Sequence, residues 1–400
     1  MKDDIQRCTK CTLPITWETI FFDNEGVCNI CRNWEIKDNE IDWEEREKVL
    51  IQTLEEEKRK QKEKGNPYDC IVGFSGGKDS TYTLYMLVRK YKMRPLVVSF
   101  DHGFYRPRTL QNRTRTFRRL GVDVFTFTPN WRVLRKLMLE ALIRRGDFCW
   151  HCHLGVWCVP FRMAINYNIP LIIWGEGGGE YEGYFKFQDL EENDEWKFNR
   201  RCCLGIRAED MAGFIGEDLR DLYPYTFPTQ EEMEKIGGIK SIPLGKYIPW
   251  NQEENAKLIH KELGWQYDYV ESMYPGELTF EKVECMFTGI RDYIKYLKRN
   301  FSRITHRTTI DIKQGRITRE EGMNLIKKYE KRKPHTLYRF LEILGLSEKE
   351  FNEICLMHLI KPAKPLDPNT IPIGKKLWDE DLWFKDNESE GRLGEHWYSK

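Results

Sequence analysis

A parallel α/β fold, preceded by a small cysteine-rich module and followed by a mostly helical region, is what the 400-residue sequence predicts. Three observations carry that expectation. Short apolar runs alternate with helical segments from residue 68 onward, two Cys-x₂-Cys pairs stand near the N-terminus, and strand signals fade after residue 205. Strand–helix alternation puts helices on both faces of a parallel sheet, and ligands bind such sheets beyond the carboxyl ends of the strands.

Residues 1–36 hold Cys8, Cys11, Cys28 and Cys31 as two knuckles sixteen residues apart. Four thiolates at this spacing suit a tetrahedral Zn²⁺, and closed Cys₄ sites are structural rather than catalytic. Residues 19–23 and 26–27 flank Asn24-Glu25 as a hairpin. A module this small lacks a core of its own, so the metal is expected to supply its stability. Residues 37–67 form a charged helical linker that ends at Gly65-Asn66-Pro67.

The Rossmann-like α/β domain spans 68–265. Its strands are expected at 70–74, 95–100, 122–127 and 170–174, with a fifth around 241–244. Helices are expected near 79–92, 108–120, 131–145, 155–168 and 252–263. Residues 266–361 read as a helical C-terminal domain, with helices at 281–298 and 318–331, and 362–400 as an extended tail.

Hydrophobic residues make up 40% and charged residues 32%, which is globular and excludes a wholly disordered chain. Lys and Arg number 64 against 63 acidic residues, without the basic excess usual in a binder of long nucleic acid. No apolar run reaches the roughly 18–20 residues that span a bilayer, and the first residues lack a signal-peptide core. A cytoplasmic protein is expected, whose twelve cysteines are reduced and serve metals or chemistry.

The strongest chemical signal is Phe74-Ser75-Gly76-Gly77-Lys78-Asp79-Ser80, between a strand and a helix. Glycines let backbone N–H groups approach phosphate oxygens, and the helix N-terminus adds positive potential. Ser75 and Ser80 offer hydroxyls, Lys78 a point charge, and Asp79 suits phosphate when Mg²⁺ lies between them. Gly73 to Gly77 leaves three intervening residues where a Walker A loop needs four. The segment resembles the SGGxDS signature of PP-loop ATP pyrophosphatases, which split ATP between the α and β phosphates. That resemblance implies that Ser99 and Asp101, at the end of the second strand, lie near adenosine.

After the fourth strand, the run from Gly175 and Glu176 through Glu180 to Tyr184 resembles the GEGxDExxxGY segment of asparagine synthetases, with Gly179 in place of their Asp. The likeness implies Glu176 as the carboxylate on the ammonia side and Glu180 as the one on the metal side. A further cluster, Cys149, His151, Cys152 and His153, is read as a loop after the third helix, with Cys158 nearby and Cys202-Cys203 later. Lining the active site, a second metal, an iron–sulfur cluster and plain packing are all open to it.

Taken together, the chain resembles the N-acetyl sugar amidotransferase family of bacterial surface-polysaccharide pathways. The resemblance runs from the knuckles through Ser75–Ser80, Phe148–His153 and Ile172–Glu176 to Leu244–Trp250, Arg291–Arg299 and residues 305–321. It implies conversion of a sugar N-acetyl group to an acetamidino group, with ATP and Mg²⁺ as cofactors beside the zinc. The substrate would be a nucleotide-linked diacetamido uronic acid or a nonulosonic-acid precursor, in lipopolysaccharide O-antigen or nonulosonic-acid biosynthesis. Glu176, Asp79 and Lys78 would be catalytic. Lys2 follows Met1 where an N-terminal nucleophile would need Cys, and no Gly-x-Cys-x-Gly turn is present. A separate glutaminase subunit is therefore implied, with a cyclase-like channel subunit, and no membrane or nucleic-acid partner. The alternative is a PP-loop tRNA thiolation enzyme, with Cys149 and Cys152 carrying sulfur or a cluster and Cys202 or Cys203 as a third ligand.

Overall fold

The computed structural model describes residues 5–175, 195, 204–374 and 376. Strands β1 (Cys70–Gly73), β2 (Pro95–Phe100), β3 (Asp123–Phe127), β4 (Leu171–Trp174) and β5 (Lys240–Pro243) form one sheet in the order β3-β2-β1-β4-β5. Every neighbouring pair is parallel, with Ile71 opposite both Leu96 and Ile172. The winding reverses between β1 and β4, so the crevice at their carboxyl ends is the switch point where such sheets take ligands.

Period-two alternation divides the strand side chains between two cores. Cys70, Val72, Val97, Leu171 and Ile173 enter one, while Ile71, Leu96, Val98 and Ile172 enter the other. The helices in chain order begin with α1 (Asn29–Asn39), α2 (Trp43–Glu63), α3 (Lys78–Tyr85), α4 (Pro107–Leu120), α5 (Trp131–Arg145) and α6 (Trp150–Tyr167). After β4 come α7 (Ala208–Ile215), α8 (Gln230–Glu234) and α9 (Gln252–Leu263). The C-terminal region holds α10 (Thr288–Arg299), α11 (Arg303–Lys313), α12 (Arg319–Tyr329), α13 (Leu337–Leu344) and α14 (Glu348–Met357). Leu50 and Leu54 of α2 join α3 and α9 on the first face; α5, α6 and α7 cover the second.

Local chemistry explains where these helices stop and start. Asn130 caps α5 by accepting from the amides of Arg132 and Val133, and Gly146 ends it in a left-handed conformation at φ 57°. Helix α5 is amphipathic on two sides. Val133, Leu137 and Ala141 face the sheet, whereas Leu134, Met138 and Leu142 pack on α10, α13 and α14. That second side welds the helical region to the sheet.

Two expectations change. The helix expected at 281–298 starts only at Thr288, because residues 280–287 pair with the chain after β2 instead. Met286 N–H donates to Phe104 O at 3.0 Å, Arg106 N–H donates to Glu284 O at 3.2 Å, and Tyr105 bridges Cys285. The 149–153 cluster is the first turn of α6 rather than a loop: His153 N–H already donates to Cys149 O at 2.9 Å, and Asp147 accepts from the Cys149 amide at 2.8 Å. Among the described residues no helix is long and apolar enough to cross a membrane.

Candidate active site

The N-terminal knuckles converge first. The Sγ atoms of Cys8, Cys11, Cys28 and Cys31 all lie within 4.8 Å of one another and are buried. Cys8 and Cys31 sulfurs are 4.0 Å apart, and those of Cys11 and Cys28 are 3.8 Å apart. Tetrahedral Zn–S bonds of about 2.3 Å put sulfurs at about 3.8 Å, so the set fits that ion. Backbone amides of Cys28 and Cys31 donate to the sulfurs of Cys8 and Cys28 at 3.2 and 3.4 Å, which favours thiolates. The expected hairpin is present, with Asp23 N–H donating to Val27 O. The module is not held by its cysteines alone. Arg319 of α12 donates to the carbonyls of Cys8 and Cys11, both at 3.0 Å, and Thr12 meets the hydroxyls of Thr308 and Thr309 on α11 at 2.9 Å.

At the switch point, the loop from Phe74 to Ser80 leaves β1 and opens α3, with Gly77 as N-cap. The amides of Ser75 and Gly76 converge on Ser80 Oγ at 3.3 and 3.1 Å, and the Gly77 amide donates to Ser75 Oγ at 3.3 Å. Converging amides of this kind form an anion cradle. Gly76 has φ +90°, and a Cβ there would press on Arg113. A Cβ on Gly77 would collide with the Glu284 carboxylate. Lys78 is buried, with Nζ 2.9 Å from Asp79 and 3.5 Å from Glu281. Asp79 also accepts from Trp250 Nε1 at 3.3 Å. Gly175, at the end of β4, lies against Asp79, so the two strand-end segments meet there. Glu176, Glu180, Cys202 and Cys203 lie outside the described residues.

Ser99 lies at the carboxyl end of β2 and Asp101 just beyond it, as expected, but both are engaged within the protein. Arg113 Nη1 donates to Ser99 Oγ at 2.8 Å, and Asp101 accepts from the Gly103 amide at 2.9 Å. Arg113, Glu281, Glu284, Trp250 and Trp265 are the site residues that sequence reasoning missed. Trp265 Nε1 donates to Gly76 O at 3.1 Å, holding the loop from the far side. Arg113 is one of many arginines in α4, and only its inward direction distinguishes it. Glu284 contrasts with its neighbours: among the described residues no side chain or amide donates to its carboxylate.

The 149–153 cluster packs beside this crevice. Burial pushes the Cys149 and Cys152 thiols well up, and Cys285 up to about 12, which disfavours thiolate. Burial likewise holds His102 and His151 down near 3, so both rings are neutral. Among the described residues only the four N-terminal cysteines come close enough together to hold a metal.

With this geometry in hand, known proteins give the following likenesses. Residues 277–364 match the family model described as the C-terminal domain of WbpG-like LPS biosynthesis proteins, less than a quarter of the chain. An uncharacterized protein of Methanocaldococcus jannaschii is 31% identical over 113 residues, which is 27% of this chain and 39% of that protein. A glutamine-hydrolyzing GMP synthase of Pyrobaculum aerophilum is 35% identical over 69 residues, 17% of this chain and 14% of that enzyme. The chain therefore spans well under half the length of these curated relatives. Among solved structures, the U34-tRNA thiolase NcsA of Methanococcus maripaludis, determined with its 4Fe–4S cluster, superposes with a TM-score of 0.28 at 16% identity, covering 81% of this chain and 89% of that one. NMN synthetase of Francisella tularensis gives 0.24 at 10% identity, covering 60% of this chain and 100% of that one. Superpositions this loose add nothing to the reading of the site.

Proposed function

We propose that the chain is an ATP-dependent, AMP-forming amidotransferase that converts a sugar N-acetyl group to an acetamidino group, in lipopolysaccharide O-antigen or nonulosonic-acid biosynthesis. One observation carries the reading. Glu281 and Glu284, within the stretch that matches the WbpG-like domain, meet Lys78 and Gly77 of the phosphate loop.

The chemistry follows from the weakness of an amide as an electrophile. Its carbonyl oxygen attacks the α-phosphorus of ATP, the bond to the β-phosphate breaks, and pyrophosphate leaves. Ammonia adds to the carbon of the resulting O-adenylyl imidate, gives up a proton, and AMP departs with the original oxygen. The protein's part is positioning and charge stabilisation. The amides of Ser75–Gly77 would hold the departing pyrophosphate, with Lys78 and Ser80 beside them. Arg113 keeps Ser99 and the Ser75 carbonyl fixed. Glu176 would accept the proton from the adding ammonia. Mg²⁺, when bound with ATP, neutralises phosphate charge; Asp79 and Glu284 would hold it, with Glu180. A separate glutaminase subunit would supply ammonia, with a cyclase-like subunit as channel, and the Cys₄ module would carry Zn²⁺. The cytoplasm, where ATP and nucleotide sugars meet, would be the setting.

The decisive experiment incubates the protein with ATP, Mg²⁺, ammonium and candidate acetamido sugars. AMP, pyrophosphate and a product lighter by about one dalton are expected, since NH replaces oxygen on an activated carbon. Release of ADP and phosphate would overturn the reading.

A further inference from the structure

Helix α4 carries five arginines in 14 residues, Arg108, Arg113, Arg115, Arg118 and Arg119, and no acidic residue. Its inner stripe is taken up by the fold: Thr109, Asn112, Thr116 and Leu120 are buried, and Arg113 reaches under the phosphate loop. The opposite stripe lines a surface groove of about 530 Å³, formed by Leu110, Gln111, Thr114, Arg115, Arg118 and Arg119. Arg115 donates to Gly264 O at 2.6 Å and Arg119 to Glu262 O at 3.5 Å, so the end of α9 holds both guanidinium groups. Arg89, in the helical turn that follows α3, joins them by donating to Arg119 O at 2.8 Å.

Four arginines thus share one patch, and among the described residues none of them is paired with a carboxylate. Elsewhere on the surface arginines find acids: Arg32 has Asp23, Glu25 and Glu35, Arg162 has Glu232, and Arg132 has Glu217. A helix C-terminus favours nearby cations, which accounts for Arg89 at the Arg119 carbonyl. It does not call for three further arginines with no acid among them. Crowded like charges repel, and on a chain with 64 basic and 63 acidic residues a patch left uncompensated is complementary to an acidic surface. The lining narrows the class of that surface. Arginine rather than lysine is the cation of protein interfaces, and Leu110 with the arginine stems makes an apolar floor. No aromatic ring lines the groove on which bases could stack.

We propose that this groove on α4 docks an acidic segment of a partner protein. Docking there does not depend on the reaction assigned above. Arg113, on the inner stripe of the same helix, holds Ser99 and the Ser75 carbonyl. The partner therefore sits one helix thickness, about 10 Å, from the phosphate loop.

Fluorescence anisotropy is measured with the full-length protein and three labelled probes. These are a glutamate-rich helical peptide, its glutamine counterpart of the same length, and a single-stranded RNA of the same net charge as the acidic peptide. The acidic peptide is expected to bind about tenfold or more tighter than the glutamine peptide, and more tightly than the RNA. Arg118 has no hydrogen bond or ion pair within the protein, so Arg118→Glu leaves the fold intact and should weaken the acidic peptide by about threefold or more. The combined Arg115→Gln, Arg118→Gln and Arg119→Gln variant brings the two peptides level. Neutralising Arg132 and Lys136 of α5, on the opposite face of the sheet, leaves the preference as it was. Equal binding of the two peptides by the wild type overturns the docking surface. So does a preference that survives Arg118→Glu, whether or not the combined variant folds. Tighter binding of the RNA, lost with the same arginines, would make this a nucleic-acid site, and a dimer that dissociates in Arg118→Glu would make the occupant a second copy; either result overturns the acidic partner.

Discussion

Two neighbours fix the Asp79 carboxylate, Lys78 and Trp250, while Gly175 lies beside its Cβ. Its side chain is still 22% exposed toward the crevice, so its loss should affect chemistry more than folding. Asp79→Ala is expected to cut exchange of labelled pyrophosphate into ATP by about 10²-fold or more, as for loss of a preorganised charge. The melting temperature should change little, and an unchanged exchange rate would remove Asp79 from the mechanism. Glu284 poses a different question, because its carboxylate touches Gly77 without a donor. Glu284→Gln keeps the shape and removes the charge, and should raise the Mg²⁺ concentration needed for half-maximal turnover by about tenfold, roughly 1.4 kcal/mol of binding. If the Mg²⁺ dependence does not move, the carboxylate serves only to brace the loop. Glu176→Gln should retain pyrophosphate exchange with sugar present yet lose about 10²–10⁴-fold in amidine formation, the usual worth of a general base.

The N-terminal module and helices α11 and α12 act as one element. Two carbonyls of the knuckles receive Arg319, and Trp17 stacks on Phe301 and lies 4.3 Å from the His306 ring. Cys8→Ser should lose one zinc per chain, and the disturbance should be seen as a change in Trp17 fluorescence rather than as unfolding of the sheet. Unchanged zinc content would refute the ligand set. Arg319→Met keeps the stem and removes two hydrogen bonds from a charged donor, costing about 1.5–3 kcal/mol and speeding zinc release to a chelator. The spacing of the cysteines made their convergence legible because four thiols on two knuckles need only local chain geometry. The docking was not legible: Arg319 is separated from Cys8 by most of the chain, and nothing near either residue in sequence announces the other.

At the scale of the whole molecule, burial decides which histidines can charge. His102 and His151 lie beneath the crevice, where desolvation holds both near 3, below the ordinary value of about 6.5. Between those values the unfolded chain binds more protons than the folded one, so stability falls as pH drops through that window. Each ring should cost on the order of 2 kcal/mol between pH 6.5 and 5, a large share of a typical stability. The urea midpoint should therefore fall steeply from pH 7 to 5, and His102→Gln should flatten the fall. Equal midpoints at the two pH values would mean that the rings protonate freely in the native state.

The sequence by itself determined the five strands, the glycine turn between β1 and α3, and the convergence of the four cysteines. Each rests on short-range rules: apolar runs of strand length, glycines where the backbone must turn toward a ligand, and cysteines at knuckle spacing. Tertiary structure alone decided that Arg113 turns under the loop, that residues 280–287 abandon a helical pattern to pair with Phe104–Arg106, and that Lys78 faces Glu281. Those choices depend on which surfaces α5 joins. With one side of α5 on the sheet and the other on α10 and α13, the chain before α10 is delivered to the phosphate loop, where backbone pairing and an ion pair outweigh local helix preference.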